Sequence, residues 1–212
     1  MEPLRGGEYK YDLTFHCGHY YTQTPLLYSN LREEDMKSLQ GRHIAIFAEQ
    51  LYEDLELWYP KLRLSEEGAE ITVIGTGAET YPSKHGYPVK ADASIEHVHV
   101  DGFDALVIPG GYAPDHMRRH AKMIEFVKKA NDQDKVIAAI CHGGWLLASA
   151  GIIHGRRVTG FFSIQDDLKN AGAVYVDAPV VRDGNLVTSR IPADLPFFCS
   201  AIIEAISERV RV

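Results

Sequence analysis

The residues best equipped for covalent chemistry are Cys141 and His142. They stand where an unbroken apolar run, Val136-Ile137-Ala138-Ala139-Ile140, gives way to Gly143-Gly144 and then to Trp145-Leu146-Leu147-Ala148. The run reads as a short strand buried on both faces, and the residues after it have helical spacing that ends before Gly151. A thiol at such an elbow faces the unpaired first amides of a helix and the positive end of its dipole. Both favour the thiolate, so the thiol pKa is expected to fall. Sharp strand-to-helix elbows also present the nucleophile of G-x-S-x-G hydrolases. The competing reading is an inert core cysteine, a common buried residue.

A nucleophilic thiol needs a base or a charge partner. From Cys141 onward the only histidines are His142 and His154. The downstream His-x-Glu of class I glutamine amidotransferases, which share a cysteine elbow, has no counterpart here. His154 falls in a turn after the elbow helix, which leaves His142 as the leading partner. Asp115 or Glu53 could orient its imidazole. The amides of His142 and Gly143, with Gly111 on an adjacent glycine turn, could form an oxyanion hole. There is no Walker loop and no G-x-G-x-x-G, so neither FMN nor NAD is implied, and no cofactor is expected. His16, Cys17 and His19 could begin a metal site, but no second ligand pair accompanies them, and a metal-free reading is preferred.

The elements that would position these residues follow from periodicity. His43 to Ala48 reads as a first strand, and residues 51–68 as a helix with an apolar face of Leu51, Leu55, Trp58 and Leu62, kinked by Pro60 and stopped by Gly68. Glu53 and Glu56 lie three apart near the C-terminal end of that strand, where open α/β sheets place their sites. Glu66 and Glu67 read as solvated. Glu70 to Gly75 is a second strand, parallel to the first. A loop-rich stretch leads to a third, Asp104 to Ile108, which runs into Pro109-Gly110-Gly111 and a helix start at Pro114-Asp115. A helix containing Ile124, Phe126 and Val127 precedes the elbow. Beyond it lie a helix from a Ser163 N-cap to Gly172, a hairpin across Asp183-Gly184, and a last helix from about Ala193 to Ser207.

Alternating strands and helices predict an α/β flavodoxin-like three-layer sandwich: a mostly parallel sheet with helices on both faces. The chain of 212 residues fits one such domain, residues 41–212, behind an extension, residues 1–40, rich in Tyr and His; Leu31 to Leu39 could form a helical turn or two. The formal net charge of −7 argues against nucleic acid or anionic membrane as a partner. Three scattered cysteines suit a reducing compartment, and no secretory signal or membrane span is evident. A cytoplasmic location is expected.

The stretches YEDLELWYPKLRLSEEG, FDALVIPGGYAPDHMR, AAICHGGWLLASAGIIHGRRVT, DDLKNAGA and VVRDGNLVTSRIPADLP resemble the PfpI/ThiJ superfamily, nearest its PfpI-type branch, from Arg42 to Ala205. The resemblance implies a reactive cysteine at Cys141 followed by its histidine, His142, and a buried glutamate, Glu56, bonded to the thiol. It implies a second pocket carboxylate at Glu53, an oxyanion donor at Gly111, and at Asp115 a carboxylate that reaches the histidine of a neighbouring subunit. Asp115 is one methylene shorter than the family's glutamate. Phe161 replaces a pocket tyrosine, and Gly144-Trp145 replaces Pro-Gln; Trp145 reads as core. The implied function is a cysteine-dependent hydrolase or lyase, of glyoxalase III, deglycase or peptidase type, acting on small carbonyl compounds or glycated and peptide substrates as a homo-oligomer. The alternative is a non-enzymatic redox sensor or chaperone-like stress protein using the same thiol.

Overall fold

A computed structural model of the chain describes residues 38–209. The expected extension lies almost wholly outside them, as do the His16, Cys17 and His19 cluster and most of the turn expected at Leu31 to Leu39. Leu39 itself is buried, and its amide donates to the Glu67 carbonyl at 2.9 Å.

The chain runs through β1 (His43–Phe47), α1 (Asp54–Glu66), β2 (Glu70–Gly75), β3 (Thr80–Pro82), β4 (Pro88–Lys90), β5 (Ala93–Ser94), β6 (Ala105–Ile108), α2 (Ala113–Met117) and α3 (Ala121–Asp132). It continues through β7 (Val136–Ile140), α4 (Gly144–Ser149), β8 (Arg157–Val158), α5 (Gln165–Asn170), β9 (Val174–Tyr175), β10 (Val180–Asp183), β11 (Leu186–Ser189) and α6 (Leu195–Glu208). Seven strands form one sheet in the order β10-β11-β7-β6-β1-β2-β5. Every pairing in it is parallel except that of β10 with β11, the hairpin expected across Asp183-Gly184. Helices α1 and α6 pack together, as do α3 and α4, giving helical layers on the sheet. The fold is the expected flavodoxin-like one. Among the described residues no helix is long and apolar enough to cross a membrane.

The apolar runs explain the centre of the sheet. In β6 and β7 every residue is buried, because both faces are covered. Ile46 of β1 lies opposite Val73 and Val107, and Ala138 of β7 opposite Val107 and Val187. The chain leaves β1 toward β2 on one side and returns to β6 on the other. That reversal opens a crevice beyond the strands' C-terminal ends, where ligands of open α/β sheets bind.

Helix α1 differs from expectation. Its buried residues are Glu56, Leu57, Pro60 and Leu64, whereas Leu51, Leu55 and Leu62 are exposed and Trp58 is only half-buried. Leu57, Pro60 and Leu64 have helical spacing too, so periodicity alone could not choose between the two stripes. Pro60 sits inside the continuous helix and removes one ladder donor without ending it. Gly68, at φ +90°, closes it. Glu67 is not solvated as expected: it pairs with Arg63 at 2.5 Å and accepts from Ser38 Oγ at 2.6 Å.

Candidate active site

Three strand ends deliver the central groups: Glu56 from the first turn of α1 beyond β1, Gly110 and Gly111 after β6, and Cys141 after β7. Cys141 adopts φ +60°, a left-handed backbone that non-glycine residues rarely occupy. Its carbonyl accepts the Phe161 amide at 3.2 Å, which helps hold the bend. A single 3₁₀ turn, residues 141–143, leads into α4.

The Cys141 side chain is enclosed; the residue is 8% exposed. The amides of His142 and Gly111 hydrogen-bond toward it and favour its thiolate, as a helix start should. Yet the thiol is pushed up, first by burial and then by the neighbouring Glu56 carboxyl. The fall expected from the elbow therefore does not occur. Desolvation and a nearby carboxyl outweigh two amides and a helix of only six residues.

Glu56 is fully buried. Its Oε2 accepts the Gly110 amide at 2.8 Å. Oε1 is buried without a hydrogen bond of normal geometry, and the carboxyl interacts with the Cys141 side chain. Burial raises its pKa to about 8, against the pull of the Gly110 amide. At neutral pH Glu56 is thus mostly a carboxylic acid able to donate a proton.

His142 stands beside the sulfur. Although adjacent side chains on an elbow tend to diverge, Nδ1 lies 3.2 Å from Cys141 Sγ. Phe161 and Trp145 flank the imidazole, each with ring centroids 5.0 Å away. Burial, and secondarily the charge of Lys84, lower its pKa, so the ring is neutral at pH 7. Trp145 packs against the core, as its spacing implied, but only half-buried: its Nε1 donates to Asp167 at 2.7 Å and its ring meets the imidazole edge to face.

Neither carboxylate expected to orient that imidazole within the chain does so. Asp115 pairs with Arg119, one turn along, and Glu53 with Lys84 at 2.8 Å. The group at the other end of the ring is Ser163, whose Oγ is 3.3 Å from Nε2. Its place before a helical run predicts a helix N-cap for Ser163. In the structure α5 begins later, at Gln165, with no side-chain cap. Lys84 was also missed. Its amide donates to the Tyr52 carbonyl, and Tyr52 bridges to Gly111, which brings the ammonium beside the site, 5.9 Å from the Tyr112 ring centroid.

The described residues include one set of converging potential metal ligands, Glu53, Asp54 and His85, with ligand atoms within 4.8 Å of one another. Internal partners already engage it: Lys84 on Glu53, and Ser83 at 2.5 Å and His85 at 2.6 Å on Asp54.

Fold and site together define a flavodoxin-like protein with a cysteine elbow, and comparison with known proteins places it. Residues 42–205 match the DJ-1/PfpI family, and the chain belongs to that family. A deglycase of Pyrococcus abyssi is 47% identical over 152 residues, 72% of this chain and 92% of the relative. The deglycase PfpI of Pyrococcus furiosus is 46% identical over 144 residues, 68% and 87% of the two chains. Among solved structures, Drosophila melanogaster DJ-1beta superposes with a TM-score of 0.74 at 29% identity, covering 78% of this chain and 90% of its own.

Proposed function

We propose that this protein is a cysteine-dependent enzyme of deglycase or glyoxalase III type, acting on small reactive carbonyl compounds, with Cys141 as nucleophile. One observation carries the reading. The Cys141 sulfur meets a neutral imidazole nitrogen at 3.2 Å and the buried, mostly protonated Glu56 carboxyl, with the Gly111 and His142 amides directed at it. A base, an acid and two oxyanion donors thus converge on one thiol.

For a 2-oxoaldehyde the sequence of steps is short. Sγ bonds to the aldehyde carbon as the thiol proton passes to His142. The carbonyl oxygen gains negative charge beside the Gly111 and His142 amides and takes its proton from Glu56. The Glu56 carboxylate so formed takes the proton from that carbon and delivers it to the neighbouring carbon, while the hydroxyl proton passes to the neighbouring oxygen, converting the thiohemiacetal into a thioester. Water then adds to the thioester carbon, the C–S bond breaks as the imidazolium returns its proton to sulfur, and a 2-hydroxy acid is released. The net change is addition of water, and no external oxidant is consumed. In a glycated amine of hemiaminal form, the S–C bond forms as the C–N bond of the same carbon breaks, and the amine leaves with the proton of Glu56.

Glu53 holds Lys84 beside this site. Asp115, paired with Arg119, takes part only where a second copy of the chain brings an imidazole to it.

The test is methylglyoxal turnover, with lactate measured as product, by the wild type and by Cys141→Ala and Glu56→Gln. Lactate formation abolished by Cys141→Ala supports the reading, and model glycated amines and peptides then rank the substrates. Absence of any Cys141-dependent turnover on all three would overturn it.

A further inference from the structure

We infer that Ser163 completes a relay of Cys141, His142 and Ser163 within one chain, positioning the imidazole to take the thiol proton. The inference rests on the nucleophilic role proposed above for Cys141.

Three observations carry it. Cys141 Sγ and Ser163 Oγ lie at opposite nitrogens of the same ring, at 3.2 Å from Nδ1 and 3.3 Å from Nε2. The ring is clamped by Phe161 and Trp145, so a contact at Nε2 fixes its remaining rotation about the side-chain bonds. The two carboxylates of this chain with a claim on the imidazole are engaged elsewhere, Asp115 by Arg119 and Glu53 by Lys84.

The proton inventory decides the direction. Glu56, raised by burial to about 8, is mostly protonated at pH 7 and so is a poor acceptor for the proton on sulfur. The neutral imidazole can take it. For Nδ1 to accept from S–H, the ring's own proton must sit on Nε2, where the Ser163 hydroxyl oxygen accepts it. When Sγ adds to a carbonyl carbon, the S–H bond breaks and its proton forms N–H at Nδ1. The imidazolium keeps its Nε2–H donated to Ser163 throughout. A serine supplies orientation and one acceptor but no negative charge. It therefore holds the tautomer without forcing a resting thiolate-imidazolium pair, consistent with a thiol held high in the free protein.

Ser163 is exposed, on the short turn before α5, so its replacement leaves the core untouched. The test is the pH profile of iodoacetamide alkylation at Cys141, followed by intact mass, together with imidazole ¹⁵N shifts of His142. Ser163→Ala is expected to slow alkylation at pH 7 about fivefold, the scale of one net hydrogen bond, and to mix the two ring tautomers. Ser163→Thr should restore both readouts. Ser163→Asp should raise reactivity near pH 6 by stabilising the imidazolium. A Ser163→Ala protein with the wild-type pH profile and ¹⁵N shifts would overturn the relay. Because alkylation needs no substrate, that result is distinct from a failure of methylglyoxal turnover, which would strike the enzymatic reading instead.

Discussion

The Gly110 amide donates to Glu56 Oε2 at 2.8 Å, and a methyl group on Gly110 would lie 2.6 Å from that oxygen and 2.7 Å from the Cys141 Cβ. The absence of a side chain at Gly110 is what allows the carboxyl and the thiol to meet. Gly110→Ala should therefore separate the pair. The expected outcome is a loss of about 2 kcal/mol in stability from overpacking, and a larger proportional loss of activity than of folded protein. Denaturant melts set beside kcat/KM check it, and full activity in the variant would contradict it.

Burial of Glu56 also makes stability depend on pH. Its carboxyl titrates near 4.5 when unfolded and at about 8 in the folded protein. Because the folded value is raised, the contribution is fully present below pH 4.5 and is lost as pH climbs through about 8. Glu56→Gln keeps an uncharged group of the same shape there and should flatten the profile between those limits. The part removed is on the order of 5 kcal/mol across the window. Urea melts at pH 5, 7 and 9 on both proteins measure it. A wild-type profile no steeper than the variant's would show that Glu56 is not held protonated.

Cys141 at φ +60° stores backbone strain that a glycine would release. Cys141→Gly and Cys141→Ala both remove the sulfur, so their difference isolates the backbone. The glycine variant is expected to be more stable than the alanine by about 1 kcal/mol, the reverse of the order at an ordinary strand or helix position. Thermal melts of the two side by side decide it.

The elbow was legible in the sequence because its parts are local: five apolar residues, a cysteine, and two glycines that only a tight bend requires. The sheet and hairpin were legible for the same reason, since runs such as Val136 to Ile140 admit few other conformations. What periodicity could not supply was the choice between two stripes on one helix. Leu55 and Leu62 alternate with Leu57 and Leu64, and only the position of the sheet decides which pair is buried. Nor could it supply the partners of His142. Ser163 and Lys84 reach the site from residues 21 and 58 positions away, through a turn and a hairpin loop whose placement depends on the whole fold. The direction of the thiol's shift is hidden from the sequence for a similar reason. The helix start is visible in sequence, whereas the depth of burial and the nearness of Glu56 are not.

Lys84 provides the last prediction. Its ammonium is bound by Glu53 at 2.8 Å and acts through space on both the thiol and the imidazole. Its positive charge holds the His142 pKa down, after burial, and favours any negative charge that forms on sulfur. Lys84→Met removes that field while keeping the length of the side chain. The His142 titration followed by NMR should then move to higher pH, and the onset of Cys141 alkylation should move to higher pH as well. Lys84→Arg, which keeps the charge, should leave both near the wild type. The two groups shift together because each responds to the same cation, His142 gaining its proton more easily and Cys141 losing its own less easily. If Lys84→Met changed neither titration, the charge would be screened from the site and the lysine's part would be confined to holding Glu53 in place.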